Sequence, residues 1–204
     1  MHKSADTVAH EVATRAKSVD AFLNRIERLR GQGYLSNKDA ERSYTGAFLE
    51  FHAFVEQSIE RLFVGLLRER LKCKSRSVRP LIAVNSDVVA LRIVRGDRRY
   101  IDWLPYNQYT MKRASAFFSR GDPFSRLDGS DIAVFEEASW IRNALAHQSR
   151  SALTVFKDRL VKGKSLPPDQ QRPAGYLRGI HTAGQTRMGN ILARAVIVMT
   201  KLSA

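Results

Sequence analysis

The chain has 204 residues, with 34 Lys and Arg against 20 Asp and Glu, a formal charge of +14. Its 44% hydrophobic and 26% charged content argues against a disordered chain and fits one globular domain over residues 1–204, long enough to bury a core without cross-links. The single cysteine, Cys73, has no partner for an internal disulfide, and neither a signal-like apolar segment nor a bilayer-length apolar run occurs, so a cytoplasmic protein with no membrane association is expected.

Periodicity predicts a first amphipathic helix through Val8, Val12, Val19, Leu23, Ile26 and Leu29, stopped by Gly31 and Gly33. A second opens at Ser36-Asn37-Lys38-Asp39, which has capping-box spacing. It carries Tyr44, Phe48, Phe51, Val55, Ile59, Leu62 and Leu66 on one face, with an end expected near Lys72. The character changes after Ser77. Residues 77–107 hold β-branched and aromatic side chains around Gly96-Asp97, between Pro80 and Pro105. They read as an inserted arm with a small β-hairpin, its strands near 88–94 and 99–104. Helical signals return at 108–118, break at Gly121-Asp122-Pro123, and resume near Ser130 or Asp131 to run to His147. A short helix over 152–160, an exposed flexible loop over 162–180 rich in proline, glycine and charge, and a closing helix over 186–202 complete the expected order.

The helix ending at His147 carries the string RNALAH, from Arg142 to His147. At about 100° per residue, Ile141, Leu145, Ala138 and Val134 fall within about 60° of one another and form a core-facing stripe. Arg142, Asn143, Glu136 and His147 project onto the remaining arc. Ser139 and Ala146 form a small-residue strip there, which would let another backbone approach. Such an arc has a plain reading: a solvated helix face, with His147 a favourable dipole partner near the helix C-terminus. The large positive excess offers another: basic surfaces attract polyanions through counterion release, so nucleic acid is the first partner to consider, beside solubility or an acidic protein partner.

The arginine and histidine of this string, on a long helix of a small, arginine-rich, mostly helical chain, resemble the R-x(4 to 6)-H motif of HEPN domains (higher eukaryotes and prokaryotes nucleotide-binding). The segments FHAFVEQSIERLF and PFSRLDGSDIAVFEEASWIRNALAHQS resemble the RiboL-PSP-HEPN branch in particular, and the likeness spans about residues 39–156. It implies a mainly α, antiparallel helical bundle. It also implies a metal-independent endoribonuclease, acting as a toxin or phage-defence effector, with no cofactor and with a site assembled across a homodimer. Arg142 and His147 would then be the catalytic pair, Asn143 the polar residue that follows the arginine, and Glu56 a supporting carboxylate on the second helix. The chemistry is sound: an imidazole titrates near neutrality and can move the proton of a ribose 2′-OH, while a guanidinium stabilises charge on phosphate.

Glu56 has the alternative reading of a solvated glutamate. His52, one turn earlier, makes with it a pair too small for a metal site, since no further ligand stands at the right spacing. His2, His10 and His181 read as surface residues. Arg95, Arg98 and Arg99, interleaved with Tyr100, Trp103 and Tyr106, are candidates for RNA contact, although Trp103 and Tyr106 read more simply as core. No Walker loop, dinucleotide fingerprint, zinc-protease string or nucleophile elbow occurs. Two rival functions stand beside the nuclease: a non-catalytic HEPN module that binds RNA or a partner protein, and the regulated member of a toxin-antitoxin pair with a nucleotidyltransferase. The nuclease reading also admits an antitoxin or defence-system partner.

Overall fold

The computed structural model describes residues 3–147, 149–182 and 184–204, so His2 lies outside the described residues. It is mainly helical. The helices are α1 (Asp6–Gly31), α2 (Asn37–Leu67), α3 (Asp87–Arg95), α4 (Lys112–Phe117), α5 (Gly129–His147), α6 (Arg150–Phe156), α7 (Pro173–Arg178) and α8 (Arg187–Ser203). The strands are short: β1 (Lys3–Ser4) pairs in parallel with β2 (Leu71–Lys72), and β3 (Ile180–Thr182) pairs antiparallel with β4 (Gln185–Thr186). Among the described residues no helix is long and apolar enough to cross a membrane. By contacts the chain divides into two units: Met1–Ala13, Phe54–Glu136 and Ala195–Ala204 form the first, Thr14–Ala53 and Glu137–Arg194 the second.

The capping box at the start of α2 forms as its spacing predicts. Ser36 Oγ accepts the Asp39 amide at 3.2 Å, and Asp39 Oδ2 accepts the Ser36 amide at 3.2 Å, so two helix-end donors are satisfied reciprocally. All seven residues of the predicted α2 stripe are buried. The helix ends at Leu67, earlier than Lys72, because Glu69 turns to a positive φ of 54° and the Arg70 amide bonds back to the Gly65 carbonyl at 2.8 Å. The freed Leu71 and Lys72 then pair with β1.

In the first unit an aromatic cluster forms the core. Phe63 of α2 is fully buried, with ring centroids of Trp103, Phe118 and Phe124 at 5.0, 4.9 and 5.1 Å. Rings of this size each bury about 150–250 Å² and dominate the energetics of the core they share. Tyr106 stacks on Phe135 at 5.5 Å and donates its hydroxyl to the Phe124 carbonyl at 2.9 Å. Burial pushes the Tyr106 phenol well above its ordinary value. Trp103 and Tyr106 are therefore core residues, and Trp103 Nε1 finds an acceptor in Glu60 at 3.0 Å.

The hairpin expected within 77–107 is not present. Its proposed first strand is helix α3, and residues 99–104 form no strand. The helix wins because its ends are specified: Ser86 Oγ accepts the Val89 amide at 3.1 Å, Asp87 occupies the first turn, and Gly96, at φ 59°, closes the last turn onto the Arg92 carbonyl. Arg68 and Arg70 both pair with Asp87 and fix this N-terminus to the end of α2. The helical signal at 108–118 corresponds to a π turn, Asn107–Met111, running into α4.

In the second unit residues 162–167 form the expected mostly exposed loop, and the rest of the 162–180 segment is built. It holds a 3-10 turn, Pro168–Gln171, and α7, with Tyr176 and Leu177 buried. Gly175 lies so close to the turn that a Cβ there would collide with the Asp169 carbonyl. Tyr176 packs edge-on to Phe156 at 5.6 Å and donates to Glu137 at 3.1 Å, while Arg187 lies over its ring at 4.6 Å. Ion pairs tie the segment to the long helices: Arg178 to Glu27 of α1 at 2.9 Å and Arg172 to Glu41 of α2 at 3.0 Å. The polar composition that suggested a loop supplies these anchors.

Candidate functional site

Helix α5 begins on a second reciprocal cap. Asp128 Oδ1 accepts the Asp131 amide at 2.9 Å, and Asp131 Oδ2 accepts the Asp128 amide at 3.3 Å. Hydrogen bonds from the Ser130 hydroxyl and the Asp131 amide, with Lys201 nearby, hold the Asp128 carboxyl far below the usual carboxylate range. Lys201 of α8 meets the buried Asp131 carboxylate at 2.7 and 2.8 Å. This end of α5 is thus tied down by side chains of the first unit.

The other end carries the motif. Val134, Ala138 and Ile141 are buried as the stripe predicts, whereas Leu145 is only half-buried. Burial extends well beyond the stripe, to Asp131, Phe135, Ser139 and Ala144. Ser139 is therefore not part of an open small-residue strip, and of the two residues assigned to it only Ala146 is exposed. Glu136, projected onto the polar arc, is half-buried too; burial raises its carboxyl pKa, with a backbone hydrogen bond from Asn107 opposing the shift. The projection errs because it places the core on one side only, and α5 is covered over more than half of its circumference.

Arg142 and Asn143 are half-buried, and His147 is exposed in the last turn. The structure brings the three together through one nitrogen. Arg142 Nη1 donates to Asn143 Oδ1 at 3.0 Å and approaches His147 Nε2 at 3.0 Å. A guanidinium has no acceptor, so Nε2 is the accepting atom of this contact. The remaining guanidinium donors, on Nη2 and Nε, take no acceptor among the described residues. A planar fork with free donors beside an exposed imidazole can bind a phosphate oxygen and accept a proton from a neighbouring hydroxyl.

Glu56 belongs to the first unit and is not a solvated carboxylate: it is half-buried, and Oε1 accepts the Leu104 amide at 3.3 Å. His52 is buried, with its ring 6.1 Å from that of Phe48. Among the described residues no group of three His, Cys, Asp or Glu could hold a metal ion. His10 and His181 are exposed.

Arg95, Arg98 and Arg99 are all exposed, but they do not act alike. Arg98 lies over the Tyr109 ring at 5.2 Å and Arg99 over Tyr100 at 5.3 Å. Two residues absent from the predicted set, Arg92 and Leu91, join Arg95 and Arg99 around a groove of about 460 Å³. The i, i+3 spacing of Arg92 and Arg95 would have paired them once 88–94 was read as a helix. Compared with known proteins, the chain matches no family model, no curated protein and no solved structure.

Proposed function

We propose that the chain is a HEPN-type endoribonuclease of the cytoplasm, a helical-bundle protein that cuts RNA by attack of a ribose 2′-OH and serves as a toxin or a phage-defence effector. The observation that carries this reading is the Arg142 Nη1 contact to Asn143 Oδ1 and His147 Nε2, each at 3.0 Å, at an exposed helix end of a chain with net charge +14. Asn143 steadies the guanidinium. An incoming phosphate competes for Arg142 and frees Nε2, which then takes the 2′-OH proton as that oxygen attacks phosphorus. The P–O5′ bond breaks, the arginine stabilises the charge gathering on the phosphate, and the leaving oxygen needs a proton. One histidine cannot be both base and acid in a single step. The protonated His147 of a second copy supplies the acid, which gives the homodimer a chemical reason.

The test incubates purified protein with mixed RNAs in the presence of a chelator. Wild type cuts, and His147→Ala loses at least about 10²-fold in rate, the usual contribution of a positioned acid or base. Equal cutting by both proteins would sink the assignment.

A further inference from the structure

We propose that the α3 groove of the first unit is a binding site for single-stranded RNA, in which a base stacks at Tyr100 while Arg92, Arg95 and Arg99 take the flanking phosphates. The choice of RNA rests on the nuclease reading; the groove's chemistry does not. Arg92, Arg95 and Arg99 are exposed, and none is paired with a carboxylate among the described residues. Arg68 and Arg70, by contrast, are both neutralised by Asp87. Three guanidiniums with no ion-pair partner, against the one carboxylate of Glu60, leave the concavity with a net positive field that a polyanion relieves.

The floor of the groove is apolar. Val88 and Tyr100 are 70% and 66% exposed, and Leu91 and Ile101 complete an apolar surface that water wets poorly. A simple phosphate ligand has no use for such a floor, but a flat nucleobase does. Arg99 already lies over the Tyr100 ring at 5.3 Å, the arrangement that lets a base join an aromatic and guanidinium stack. Glu60, the acidic residue of the lining, is engaged by Trp103 Nε1 at 3.0 Å. Arg92 and Arg95 stand one helical turn apart, with about 5–6 Å between their Cβ atoms, so they present two positive points along one strand.

The experiment uses a fluorescein-labelled, fully 2′-O-methylated eight-nucleotide strand, which cannot be cut, and reads anisotropy over a range of salt. Because the strand lacks a free 2′-OH, the outcome is independent of whether the protein cleaves RNA. The triple variant Arg92→Ala/Arg95→Ala/Arg99→Ala should bind more weakly and flatten the log K against log salt slope by roughly 2, the expected loss for three phosphate contacts to a single strand. Tyr100→Ala should weaken binding about tenfold with the salt slope unchanged, which separates stacking from charge. Circular dichroism confirms that each variant folds. Unaltered affinity and slope in the triple variant would overturn the proposal. So would displacement of the strand by a glutamate octapeptide as readily as by unlabelled strand, because the groove would then be an acidic-peptide site.

Discussion

Arg142 commits both protons of Nη1 to Asn143 Oδ1 and His147 Nε2, and the rest of its fork stays available to a ligand. A lysine ammonium has the charge but not the planar, delocalised fork that can hold two partners and a phosphate in fixed directions. Arg142→Lys is therefore expected to keep the fold and lose about 10²-fold in RNA-cutting rate, the scale of losing one preorganised donor to transition-state charge. Wild-type rates in that variant would show that only the charge matters. The residues of this site are legible in the sequence because the motif lies within two turns of one helix. Their environment is not: a single-helix projection cannot see which neighbours cover the opposite side, so it places Arg142 and Ser139 on an open face and misses the shared Nη1 contact.

At the scale of elements, local signals are most reliable where a reciprocal cap marks the start of a helix. The Ser36 capping box and the α2 stripe form as their spacing predicts, and the α5 boundaries fall within two residues of expectation. Residues 88–94 mislead because Val88, Val89, Ile93 and Val94 suggest strand by composition, while Ser86 and Gly96 fix the ends of a helix. The 162–180 segment misleads for another reason: its charges are long-range anchors. Burial alone would raise the Glu27 carboxyl, but hydrogen bonds and charge from Arg178 and Arg30 outweigh it and hold the group below its ordinary value of 4.5. A carboxyl with a depressed folded pKa adds stability above the unfolded value, and that stability is lost as pH falls through the folded one. Arg178→Ala should thus melt about 2–4 °C below wild type at pH 7, with the gap closing as the pH drops below about 4. A gap that stays constant from pH 7 down to about pH 3 would show that the arginine acts through packing alone.

For the molecule as a whole, the proposed function joins the charge of +14 to the motif and its exposed His147: a basic chain would draw RNA to its surface, and an arginine and a histidine would act on the backbone. Composition makes the basic surface legible, since net charge is a sum over the chain, and apolar periodicity makes the helical class legible. The division into two units is not legible, because the long helices α1, α2, α5 and α8 each supply residues to both units and no linker marks a boundary. The proposed 2′-OH chemistry is tested most directly by the cut ends of matched RNAs that differ by one 2′-deoxyribose at the cleavage position. The account predicts a 2′,3′-cyclic phosphate and a 5′-hydroxyl from the all-ribose strand, and no cut at the deoxy position. Cleavage of the deoxy strand at that position, or products ending in a 5′-phosphate, would contradict it.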